Sequence, residues 1–127
     1  MFGMGKKDWE RELEGAIGEL AGADTVAFGG VGIAGTLLPA TEAYRRVEAA
    51  LAEHPEQVRE HLDRLLAEGS PAGRAYAATL LVRLDPAAGR AAWSALAEEP
   101  GEFTTFSGCV MGRATLREYA TERLAEA

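Results

Sequence analysis

The stretch from Ser70 to Pro86 constrains this chain more than any other. Ser70 is suited to cap a helix, and Pro71 to its first position, where a missing N–H costs nothing. Asp85-Pro86 closes the helix, because a residue preceding proline is pushed out of the α region. Between these signals Ala75 to Val82 carries no charge. A helix that is apolar on every face is buried on every face. The stretch therefore predicts a central helix and a chain built to surround it.

At 127 residues the chain has the size of a single domain, 1–127, and can bury about two-thirds of its unfolded surface without a disulfide or metal staple. The formal net charge of -7 repels phosphate backbones and anionic lipid, which argues against nucleic-acid or membrane partners. The arginines are dispersed apart from Arg45-Arg46. One cysteine, Cys109, permits no intrachain disulfide and suits a reducing cytosol. The first residues lack the apolar core of a signal peptide, and no uncharged run approaches the ~18 residues of a membrane span. The expected location is cytoplasmic, with residues 1–6 a disordered tail.

Helical periodicity marks five further segments. Trp9, Leu13, Ala16, Ile17 and Leu20 form one face of a helix from Asp8 to about Leu20. Pro39 opens a helix to about Ala52, facing inward with Ala43, Tyr44 and Val47; Pro55 opens another to about Ala67 with Val58, Leu62 and Leu65. Pro86 begins a helix to about Glu98 around Trp93 and Leu96. Thr115-x-x-Glu118 is a capping box for the last helix. Two segments are not helical. Residues 22–36 are glycine-rich, with Thr25 to Phe28 as a short strand and Gly29-Gly30 as a turn. Residues 102–112, rich in Phe, Thr and Val, favour a strand or hairpin that pairs with the first segment. The expected fold is mainly α: a compact bundle of about six helices built on two stacked helical hairpins, with a short β-hairpin from the glycine-bearing segments.

The middle of the chain repeats. Pro39-Ala40-x-x-Ala43-Tyr44 returns as Pro71-Ala72-x-x-Ala75-Tyr76, and Pro55, Arg59 and Leu65 return as Pro86, Arg90 and Leu96. Each copy reads as helix, proline-marked turn, helix, a unit that cannot bury its apolar face alone. Across about residues 39–98 this layout resembles the HEAT-like α-hairpin repeat proteins. The resemblance implies stacked hairpins that present a binding surface.

Candidate chemistry is sparse. Gly30-x-Gly32-x-x-Gly35 has the spacing of a dinucleotide loop but lacks a helix starting inside it, so a tight packed loop is the expectation. Cys109 sits among Phe, Val and Met, a setting for a buried small hydrophobe more than a thiolate nucleophile. His54 and His61 lack the spacing of a helical metal site, and His54 is placed to cap the helix at Pro55. Arg74 lies in the first turn of the central helix, where the macrodipole disfavours a cation. A compensating carboxylate or bound anion is one reading, but the cost is only tenths of a kcal/mol, so a solvated side chain or a surface ion pair is the expectation. No cofactor or metal is expected.

Three functions compete. The first is a non-catalytic protein-interaction or self-assembly module. The second is a small-ligand binder or enzyme with a pocket between residues 24–36 and 103–112, contacted by Arg74, Ser107 and Cys109. The third is an acidic immunity- or antitoxin-like inhibitor of a basic partner. The missing catalytic set favours the first, with another protein or a second copy as partner.

Overall fold

Proline sets the start of four helices. Pro39, Pro55, Pro71 and Pro86 are each a first helical residue, where the fixed φ is already helical and the absent N–H has no partner to lose. The computed structural model describes residues 7–32 and 34–126; the tail expected over 1–6 lies outside them. Chain order is α1 (Asp8–Ala21), β1 (Thr25–Val26), α2 (Pro39–Glu53), α3 (Pro55–Glu68), α4 (Pro71–Leu84), α5 (Pro86–Leu96), β2 (Glu102–Ser107), β3 (Val110–Thr115) and α6 (Leu116–Glu126). The protein is mainly α, with two helical hairpins, α2–α3 and α4–α5, packed through α3 and α4.

The central helix is α4. It packs against α1, α2, α3, α5, α6, β1 and β2. Ser70 caps it as expected: its hydroxyl accepts from the Gly73 N–H at 3.1 Å and donates to the Ala23 carbonyl at 2.6 Å. Two small residues let backbones approach. A Cβ on Gly73 would lie 2.2 Å from the Leu20 carbonyl oxygen, and one on Gly89 would lie 2.4 Å from Val82 Cα. These positions hold α1 and α5 tightly to α4. One expectation fails along a strip of this helix: Thr79 is half-buried and Val82 is 37% exposed, so α4 is not covered on every face.

Tyr76, wholly buried, fastens the loop after β1. Its hydroxyl accepts from the Ala27 N–H at 2.8 Å and donates to the Ala27 carbonyl at 2.9 Å. Buried Thr41 donates to the same carbonyl at 2.7 Å. Phe28 meets the rings of Tyr44 and Tyr76 edge-on. These bonds satisfy backbone groups that burial would otherwise leave costly. They make the loop one of the covers that α4 requires.

The sheet order is β1-β2-β3. β1 runs parallel to β2 with Thr25 beside Thr104; β2 and β3 are antiparallel, from Glu102↔Thr115 to Ser107↔Val110. The two non-helical segments therefore do meet, but the hairpin lies wholly within residues 102–115 and the first segment adds only a short parallel strand. Gly108, at φ 62°, takes the first central position of the two-residue hairpin turn, a left-handed conformation that glycine adopts without strain. β3 runs straight into α6. There Thr115 and Glu118 form the expected capping box: the Thr115 hydroxyl accepts from the Glu118 N–H at 3.0 Å, and Glu118 accepts from the Thr115 N–H at 3.2 Å.

Candidate functional site

The structure does not bring Arg74, Ser107 and Cys109 together. Arg74 lies at the N-terminus of α4. Its Nε donates to the Gly69 carbonyl at 2.9 Å, one terminal nitrogen meets Glu99 at 3.0 Å, and the other reaches the Ala67 carbonyl at 3.4 Å. Arg74 is thus ion-paired within the chain, to the part-exposed Glu99. The α3 carbonyls add the negative end of a second helix dipole. Ser107 and Cys109 lie at the far end of β2 from there. Gly101, just before that strand, packs on Pro71, and six strand residues span roughly 17–20 Å. The segments 24–36 and 103–112 touch through main chain, by β1–β2 pairing and a bond from the Gly32 N–H to the Gly108 carbonyl at 3.1 Å.

Cys109 is exposed, contrary to the burial expected from its apolar neighbours. The reason is geometric: the turn at Gly108-Cys109 carries the hairpin tip past the body of the bundle, so both faces of the tip meet solvent. Val110 is 70% exposed and Met111 66%, though they point to opposite faces. No hydrogen bond joins either histidine to Cys109 among the described residues. His54 makes no side-chain cap; its ring stacks on Trp9 with centroids 3.5 Å apart. Among the described residues no group of three or more His, Cys, Asp or Glu could hold a metal ion. The glycine loop is a tight turn closed by the Val31–Thr36 bridge, and α2 starts only at Pro39, so it lacks the strand-to-helix setting that binds a dinucleotide. No helix of the described chain is long and apolar enough to cross a membrane.

The hairpin presents a free edge. Among the described residues β3 pairs only with β2. The bond from the Leu116 N–H to the Gly101 carbonyl at 2.9 Å fixes the alternation of the ladder: Phe103↔Ala114, Thr105↔Gly112 and Ser107↔Val110 exchange hydrogen bonds. Met111 and Arg113 consequently turn their N–H and C=O groups outward, and neither N–H finds a backbone partner among the described residues. Natural edge strands are usually guarded by lysine, proline or a bulge. This strand has no proline and one charge, and that charge is drawn back across β2: Arg113 bonds the Thr104 hydroxyl at 3.1 Å and faces Glu102 at 3.5 Å. Sequence reasoning missed this surface. Its signal was the run Cys109-Val110-Met111-Gly112, apolar and uncharged immediately after a turn glycine.

No protein family matches this chain, and the chain matches no curated protein and no solved structure.

Proposed function

We propose that this protein is a non-catalytic interaction module that assembles with a second copy of itself through the outer edge of β3. The observation that carries this reading is the unguarded edge at Met111 and Arg113, flanked by exposed Val110. Strand addition supplies main-chain hydrogen bonds to such an edge. A twofold axis at Gly112 sets Met111 of one copy against Arg113 of the other and opposes no like charges. An axis at Arg113 would face arginine with arginine, so the Gly112 register is favoured.

The contact is small. A few edge residues bury well under the roughly 1,200 Å² of a stable interface, which makes the dimer weak, with a Kd on the order of 100 μM. The net charge of -7 opposes association, so added salt strengthens it by screening. The helical framework serves in this reading as a HEAT-like pair of hairpins that carries the edge. The exposed thiol fits a reducing compartment, and we place the protein in the cytoplasm.

Sedimentation velocity over a concentration series tests the proposal. The wild-type protein is expected to shift from monomer to dimer as concentration rises, more sharply at higher salt. Met111→Lys, at an exposed position, is expected to stay monomeric with an unchanged melting temperature. A wild-type protein that remains monomeric near millimolar concentration, or a variant that dimerises equally well, overturns it.

A further inference from the structure

The bare strip of α4 opens into a cleft of about 500 Å³. Thr79, Val82 and Arg83 line one wall at i, i+3 and i+4, a stripe along α4, and Pro86, the first residue of α5, continues it past the helix end. Trp93 of α5 and Leu124 of α6 make the remaining apolar surface, so three helices wall the space. The uncharged stretch from Ala75 to Val82 predicts a cover on every side, and none of the described residues covers this strip fully.

Charge inverts at this opening. The whole chain has 20 Asp and Glu against 13 Lys and Arg, yet among the described residues the cleft is lined by Arg83, Arg90 and Arg123 with a single acidic side chain, Glu126. Arg83 pairs with Glu48. Arg123 pairs with Glu126 at 2.7 Å, lies 4.5 Å from the centre of the Tyr119 ring, and keeps a buried Nε without a hydrogen-bond partner among the described residues. Arg90 is exposed and, among the described residues, has no hydrogen bond or ion pair.

We propose that this cleft binds a small amphipathic carboxylate, with its apolar chain along Val82, Trp93 and Leu124 and its carboxylate on Arg90. The volume falls within the range of about 300–1,000 Å³ typical of small-ligand sites. A guanidinium offers paired donors that match a carboxylate, and partial desolvation beside Trp93 strengthens that bond. Three walls favour a compact ligand over a peptide helix, which needs a long open groove. None of the lining residues belongs to β3, so this site and the assembly edge stand or fall separately.

Calorimetric titration with decanoate tests the proposal, with decanol as the uncharged control. Decanoate is expected to bind saturably at one site per chain, and decanol about tenfold or more weakly. Arg90→Glu and the milder Arg90→Gln are expected to weaken decanoate by at least about tenfold while melting as the wild type does. In amide spectra the indole N–H of Trp93 should move on titration while that of Trp9, stacked on His54, stays. Absence of saturable binding, equal binding by the Arg90 variants, equal binding of decanol, or a shift confined to Trp9 overturns it.

Discussion

Arg74 and Tyr76 show what single residues reveal and conceal. A cation in the first turn of a helix opposes its dipole only by tenths of a kcal/mol, so from sequence Arg74 reads as a solvated side chain or surface ion pair, with a compensating group as the alternative. The compensators could not be read. Glu99 is 25 residues away and the α3 carbonyls are local only once α3 has been turned against α4. Tyr76 was legible as core, but its hydroxyl bonds to Ala27 cross 49 residues and had no sequence signal. Removing that hydroxyl leaves the buried Ala27 N–H without its partner, while Thr41 still holds the carbonyl. Tyr76→Phe is therefore expected to lose about 1–3 kcal/mol in urea denaturation, with the fold retained. A loss within error would show that water replaces the hydroxyl.

Among elements, the helices were legible and the sheet only partly so. Proline starts and 3.6-residue periodicity act within one turn, which is why α2 to α5 begin where expected. Strand pairing is non-local: nothing in residues 22–36 says that Thr25 lies parallel to Thr104, or that the second segment closes its own hairpin first. Glycines divide in the same way. Gly15 and Gly18 on α1 face open space, whereas Gly89 on α5 is pressed against Val82. Alanine at position 15 or 18 is expected to stabilise the protein by about 0.5–1 kcal/mol each, and alanine at 89 to cost about 1–3 kcal/mol through overpacking. Thermal and urea unfolding of the three variants check the contrast in sign. A stabilising Gly89→Ala would contradict the close α4–α5 contact.

On the scale of the whole molecule, three tyrosines tie the bundle to pH. Burial raises the pKa of Tyr44, Tyr76 and Tyr119 above the ordinary phenol value of 10.0, with Arg83 and Arg123 opposing at Tyr44 and Tyr119. A phenol whose folded pKa is raised holds its proton more tightly in the native state. Its contribution is complete below pH 10 and is lost as pH rises through the folded value. Stability is expected to fall on the alkaline side above about pH 10, and Tyr119→Phe to blunt that fall; a flat profile there would count against burial of these phenols. The chain's acidity and the central place of α4 were both readable at this scale, whereas the strip of α4 left open at Val82 was not. The free β3 edge was not, because edge and centre differ only in what lies beside them. That edge carries the functional proposal, and Cys109, exposed and single, permits a direct distance measurement across it. With a twofold axis at Gly112 the two cysteines of a dimer lie six strand positions apart, roughly 20 Å. Double electron–electron resonance on protein nitroxide-labelled at Cys109 is predicted to give a concentration-dependent separation of about 20–30 Å, abolished by Met111→Lys. A monomeric decay at every concentration, or the same distance in the variant, would contradict assembly through β3.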